Sequence, residues 1–223
     1  MNSMYNVIYN FFGLNKEIFI FVNKITNVSI VPNILKIISQ FFFIGNFAAY
    51  YLIICLYCYF KLKKLSNPKM EFVPIYNTLV KAGTCYALFG FAYAAFKFGI
   101  NLPRPFCSLF PSEFTTILDV TKERCLSSFP SAHTGLAILI AYYLWPHLTK
   151  YQKAVMLLLV TLVPISRITL AMHYPADIIY SIFIVYLLIF CSNKLVDSLQ
   201  NIIIQPIGSF IANALFSQNS LSS

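Results

Sequence analysis

Two of the three histidines lie in Pro130-Ser131-Ala132-His133 and in the run Ser166-Arg167-Ile168-Thr169-Leu170-Ala171-Met172-His173-Tyr174-Pro175-Ala176-Asp177, both downstream of Lys97-Phe98-Gly99-Ile100-Asn101-Leu102-Pro103-Arg104-Pro105. Together these segments bring three strong cations, two imidazoles, a carboxylate and a hydroxyl, which is what chemistry on a phosphate ester needs. Such a dianion must be bound, attacked in line and relieved of a poor alkoxide leaving group, work carried mostly by positioning and charge stabilisation. Lys97, Arg104 and Arg167 can surround the non-bridging oxygens, the arginines through bidentate hydrogen bonds that a lysine cannot reproduce. The Ser131 hydroxyl adds a donor. Pro130 is placed to start a helix, with Ser128 as a candidate cap, so the amides of Ser131, Ala132 and His133 would open it and form an anion site.

Two histidines and one carboxylate form the pairing required for covalent attack with separate acid–base assistance. His173 and Asp177 stand i, i+4, and Pro175 predicts a helix starting between or at them. The carboxylate could then accept a hydrogen bond from one ring nitrogen and leave the other free to attack. His133, on a different helix, would protonate the leaving oxygen and later activate water. His147 lies fourteen residues further on, about 21 Å along a helix, and is expected to be a bystander.

The elements that position these residues are expected to cross a membrane. The chain is 59% hydrophobic and 10% charged, with 22 Phe and 15 Tyr, more apolar surface than a soluble domain could hide. At about 20 residues per span, 223 residues leave room for five or six transmembrane helices in one domain. The net charge of +9 is spread among apolar runs instead of gathered on one stripe, so no nucleic-acid partner is expected. The N-terminus lacks the basic, apolar and small-residue succession of a removable signal peptide.

Residues 5–31 are apolar but interrupted by Asn15, Lys16, Glu17, Asn23 and Lys24, a weak first span or an interfacial helix. Ile34 to Phe60 reads as a clean span ending in a basic loop of Lys61, Lys63, Lys64 and Lys69, cytoplasmic by the positive-inside rule. Pro74 to Phe96 returns, delivering Lys97 to a polar stretch from Gly99 to Phe129. Ser131 to Leu148 crosses back to a basic turn with Lys150 and Lys153, Ala154 to Met172 ascends with a kink expected at Pro164, and Ile178 to Cys191 descends. The tail, 201–223, is expected to lie on the membrane or be flexible, with Ile202 to Phe216 broken by Pro206 and Gly208. This topology sets Lys97, Arg104, Ser131, His133, Arg167, His173 and Asp177 at one extracytoplasmic face.

Arranged this way, the chain resembles the phosphatidic acid phosphatase type 2 superfamily of integral membrane lipid phosphatases. Lys97, Arg104 and Pro105 fit its first motif, Pro130-Ser131-x-His133 its second, and Ser166-Arg167 with His173 and Asp177 its third, at the family's spacing. The resemblance spans roughly Phe19 to Lys194 and implies an all-α, six-helix transmembrane core, expected within a single domain over 1–200, with a phosphohistidine on His173 and His133 as general acid. It also implies no required metal, and phosphate binding by Lys97, Arg104, Ser131 and Arg167. The second motif usually has glycine where this chain has Ala132; an alanine in an early helical turn supplies the same amide at negative φ. The Phe129-Pro130-Ser131-Ala132-His133-Thr134 run and Leu14-Asn15-Lys16-Glu17-Ile18-Phe19 look similar to small undecaprenyl pyrophosphate phosphatases of the family. The expected setting is a bacterial inner membrane with the site facing the periplasm or exterior. The expected substrate is a lipid phosphate; lipid A 1-phosphate, phosphatidylglycerol phosphate and phosphatidic acid remain alternatives to undecaprenyl pyrophosphate.

Other readings compete. Arg167 and Asp177 could form a structural ion pair, phosphohistidine could pass its group to an acceptor lipid, or the buried charges could line an anion or proton path. Among seven acids, Glu17, Glu71 and Asp197 are scattered, while Glu113, Asp119 and Glu123 share the long loop without chelating spacing. The loop acids read as solvating residues, and no cofactor is expected. Cys55, Cys58, Cys85 and Cys191 read as packing residues within spans. Cys107 and Cys125 share the long loop, where an oxidising compartment would let them pair.

Overall fold

The computed structural model describes residues 7–216, so Tyr5 and Asn6 of the expected first segment and residues 217–223 of the tail lie outside the described residues. The described chain is helical, with no strand; an isolated antiparallel bridge joins Pro103 and Leu126. The helices are α1 (Leu14–Thr26), α2 (Val31–Phe41), α3 (Asn46–Leu62), α4 (Pro68–Gly99), the single turn α5 (Pro105–Ser108), α6 (Ala132–Leu144), α7 (Lys150–Thr169), α8 (Pro175–Ser198) and α9 (Gln205–Phe216). Three of them, α4, α7 and α8, are long and apolar enough to cross a membrane, and the bent pair Phe11–Thr26 with Val31–Phe41 would make a fourth span if counted as one. The apolar α3 and α6 are shorter.

Two compact units divide the chain, one of residues 1–44 and 90–186, the other of 45–89 and 187–223; α4 and α8 each contribute to both. In the first, α1, α2 and α6 all pack on α7. Thr149 starts α7 with a capping box: its hydroxyl accepts the Gln152 amide and the Gln152 side chain accepts the Thr149 amide. The helix runs on through Pro164. Between α2, α6 and α7, Phe42, Ala137 and Val163 form a buried cluster.

That cluster overturns the single span expected from Ile34 to Phe60. Phe42 turns into the core and α2 stops at Phe41, the next helix starting only at Asn46 after Gly45. No proline marks this break, because it is imposed by the partners of Phe42. The expected first segment also folds differently: a bend of 112° separates α1 from α2, and of the polar residues that interrupt α1 the two asparagines face inward, Asn15, Phe19 and Asn23 forming its buried stripe while Lys16, Glu17 and Lys24 stay exposed. The Asn23 amide nitrogen donates toward the carbonyls of Thr115, Ile168 and Thr169 at 2.9–3.2 Å, and its oxygen accepts the Thr115 amide at 2.8 Å. Asn23 thus ties the long loop to the end of α7.

In the second unit, Phe47 stacks on Tyr86 with ring centroids 3.9 Å apart, and Lys81 pairs with Asp197 at 2.7 Å. Contrary to expectation, Pro206 and Gly208 do not break the tail: the π-helical turn Gln200–Ile204 runs directly into α9, whose second residue is Pro206, and a Cβ at Gly208 would come within 2.7 Å of the Tyr76 ring. Glycine serves close packing there.

Asn23→Ala removes the four hydrogen bonds of the Asn23 side chain described above and strands buried carbonyls, so it should destabilise the protein by about 2–4 kcal/mol. Thermal unfolding in detergent checks this.

Candidate active site

The site is built on the turn between α7 and α8. Every residue from Ser166 to Ile178 is buried, although this stretch carries an arginine, a histidine and an aspartate. Beyond Thr169 the chain reverses through Ala171, whose φ of 55° lies in the left-handed region; packing among Phe19, Ile168, Tyr174 and Ile178 holds it there. The reversal lets the Arg167 carbonyl accept the amides of Met172 and His173 at 3.0 and 3.2 Å. Backbone geometry therefore fixes His173 relative to Arg167.

Pro175 begins α8 and places Asp177 in its first turn. Asp177 Oδ2 accepts the Ser128 hydroxyl at 2.5 Å and the Tyr174 amide at 2.8 Å, and Oδ1 accepts the Tyr9 hydroxyl at 2.7 Å. His173 Nδ1 lies 3.4 Å from Oδ2, buried and with no hydrogen bond formed, a separation that can tighten when a ligand binds. Burial, then the charges of Lys97, Arg167 and Arg104, hold His173 well below the usual imidazole range. Its ring is therefore neutral near pH 7.

The three cations are anchored by one neutral or acidic partner each. Lys97 Nζ donates to the Ser127 carbonyl at 2.8 Å, Arg167 Nη1 donates to the Ser39 hydroxyl at 2.9 Å, and Arg104 Nη1 pairs with Glu123 at 2.9 Å while touching the Met172 sulfur. Nε of both arginines is buried without a partner. Two orphaned cationic donors are costly unless an anion completes them. The Arg167–Asp177 ion pair considered above does not form: Arg167 binds Ser39, and Tyr9, Ser128 and Tyr174 satisfy the carboxylate. Glu123 likewise corrects the view of the loop acids as solvating residues, since it holds Arg104, and Glu113 pairs with Lys16 at 2.6 Å.

At the start of α6 the local expectation fails in detail. Pro130 precedes the helix, following a cis peptide, and Ser131 is the N-cap. Ser128 is no cap, since its hydroxyl serves Asp177. The Ser131 amide donates to the Asp177 carbonyl at 3.3 Å, and its hydroxyl pairs with that of Thr134 at 2.9 Å. The first-turn amides of Ala132 and His133 have no acceptor within the helix. The half-buried His133 has its ring 6.2 Å from that of Phe43, and the charges of Arg167, Lys97 and Arg104 and the His173 ring all act on it. His147 sits in the 3-10 turn beyond the opposite end of α6. Cys107 and Cys125 are disulfide-bonded, Cα to Cα 5.7 Å, closing the loop that carries Arg104 and Glu123. Among the described residues, no group of three or more His, Cys, Asp or Glu side chains could hold a metal ion.

The PAP2 superfamily model matches residues 78–200, more than half of the chain and all three motifs. The chain belongs to the PAP2 superfamily. Its fold is shared with the crystal structure of Aquifex aeolicus LpxE, at 18% identity and a TM-score of 0.59, over 81% of this chain and 95% of that one. No curated protein sequence matches. The apolar helices fit an integral membrane protein.

Sequence reasoning missed the PAP2 site's supporting residues Tyr9, Ser39 and Ser128. Ser128 stood two residues from a motif and was read for its backbone role, while Ser39 and Tyr9 lie in apolar runs with no local signal. Glu123→Gln, which frees Arg104 from a half-exposed ion pair, should tighten binding of inorganic vanadate about two- to fivefold by calorimetry. Unchanged affinity would show that the bridge opens at no cost.

Proposed function

We propose that this PAP2 protein is a membrane lipid phosphatase that removes the terminal phosphate of a lipid phosphate or pyrophosphate through a phosphohistidine on His173. The observation that carries this reading is the pair of orphaned, buried arginine Nε donors beside a neutral histidine backed by a carboxylate. A phosphoryl group bridging Arg104, Arg167 and Lys97 would complete these donors and offset the cations' mutual repulsion. The amides of Ala132 and His133 would face the same oxygens.

With Nδ1 turned toward Asp177, His173 Nε2 attacks phosphorus. The P–N bond forms as the P–O bond to the lipid breaks, and His133 gives its proton to the departing oxygen. His133 then takes a proton from water, whose oxygen attacks the phosphohistidine and releases inorganic phosphate, returning His173 to its neutral form. Asp177 steadies the positive charge that grows on the His173 ring. Three cations supply the charge that a divalent ion provides elsewhere, so the reaction needs no metal.

Undecaprenyl pyrophosphate is the favoured substrate, on the likeness of the Phe129 to Thr134 and Leu14 to Phe19 runs to small phosphatases of that lipid. Lipid A 1-phosphate is the chief alternative, favoured by the fold shared with LpxE; phosphatidylglycerol phosphate and phosphatidic acid follow. The arrangement proposed is a six-helix core within a single domain over 1–200. Its site would face the outer side of a bacterial inner membrane, the side on which a Cys107–Cys125 bond persists.

Phosphate release from these four lipids by detergent-purified protein, with EDTA present, tests the reading. Release from one of them is expected to fall by at least about 10⁴-fold in His173→Ala and about 10²–10⁴-fold in His133→Ala. Rapid quench with ³²P-labelled substrate should trap a phosphoenzyme in His133→Ala and none in His173→Ala. Turnover that survives loss of His173 would sink the covalent mechanism.

A further inference from the structure

We propose that Tyr9, far outside the region that defines the family, is a positioning residue for the nucleophile and acts through Asp177. The inference rests on the phosphohistidine reading above. Asp177 is fully buried, and its two oxygens are used differently. Oδ2 faces His173 Nδ1 and is shared with Ser128 and Tyr174, whereas Oδ1 accepts from Tyr9. A carboxylate held at one oxygen can still swing about its Cβ–Cγ bond; the Tyr9 hydroxyl, 2.7 Å from Oδ1, stops that rotation and keeps Oδ2 aimed at the ring nitrogen.

Tyr9 is itself well fixed. It is 7% exposed, its ring meets Phe129 edge-on with centroids 6.4 Å apart, and it shares a buried cluster with Phe129 and Ala176. A few residues later, Asn15 Oδ1 accepts the Ala176 amide at 2.9 Å. The N-terminal segment therefore grips the first turn of α8 twice, at the carboxylate and at the backbone beside it. Residues 78–200 alone do not contain this support.

Tyr9→Phe keeps the ring and removes one hydroxyl. On whichever lipid the wild type hydrolyses, kcat should fall about tenfold with KM held within about twofold, because the lost bond orients the nucleophile without touching the phosphate. Single-turnover formation of the phosphoenzyme should slow equally. Nitrogen NMR of histidine-labelled full-length protein should show the His173 Nδ1–H tautomer losing population to Nε2–H.

Tyr180→Phe is the control, since it deletes another hydroxyl bond to the same segment, from Tyr180 to the Ile8 carbonyl, without involving Asp177. It should leave kcat and the tautomer ratio as in wild type. An unchanged kcat and tautomer ratio in Tyr9→Phe, or an equal loss in Tyr180→Phe, overturns the proposal. If the wild type releases phosphate from no lipid, the hydrolase reading fails by itself. The tautomer ratio in the two variants then decides the role of Tyr9.

Discussion

A buried carboxylate has to be satisfied from every side, and in this protein that requirement falls on Asp177. Its side chain accepts from Tyr9 in the N-terminal segment, Ser128 in the run before α6 and the backbone of Tyr174, while its carbonyl accepts from Ser131. Two stretches that are distant in sequence, the N-terminal segment and residues 128–131, thus meet the 174–177 turn at one residue. Displacing either of them would leave a charged group in an apolar frame short of a donor, so the hydrogen-bond demand of one carboxylate helps specify how the helices around it assemble.

The cations pose the opposite problem. Lys97, Arg104 and Arg167 repel one another, and their surroundings hold back the partners that would quiet them. Lys97 and Arg167 receive a carbonyl and a hydroxyl, both neutral, and the one carboxylate on Arg104 comes from a half-exposed loop residue. A structure built only for stability would neutralise these charges or replace them with apolar side chains. Keeping them short of partners costs stability and is worthwhile where a dianion is the missing component. Asp177, for its part, is occupied by hydroxyl and amide donors and pairs with neither arginine, which leaves Oδ2 beside His173 Nδ1.

How much of this was legible in the sequence depends on the range of the interactions. The three motifs, the helix beginning at Pro175 and the placing of His173 beside Asp177 follow from local spacing, which is why they could be read residue by residue. The break at Phe42 could not, because it is decided by Ala137 and Val163, nearly a hundred residues or more away. In sequence, Asn15 and Asn23 interrupt an apolar run and carry no local sign of the partners they meet. Their i, i+8 spacing puts both on one face, but which face is buried depends on the loop carbonyls and the α7 terminus that they meet. Glu123 likewise has nothing in its neighbourhood to distinguish it from a solvated loop acid until Arg104 is brought alongside.

The same distinction governs the longest irregular stretch. Loops ordinarily place side chains loosely, yet Arg104 belongs to one, and the phosphate-binding role proposed for it would demand placement to within a few tenths of an ångström. The backbone around it is accordingly treated as if it were a sheet: the Arg104 amide donates to the Cys125 carbonyl at 2.9 Å, the Ser128 amide donates to the Leu102 carbonyl at 3.0 Å, and Pro103 bridges Leu126 between them. The disulfide from Cys107 to Cys125 closes this ladder three residues beyond Arg104, and Asn23 clamps the loop at Thr115. The two cations on helices take their rigidity from α4 and α7. Arg104 obtains it from cross-links, so its position is sensitive to changes in the loop that would leave Lys97 and Arg167 undisturbed.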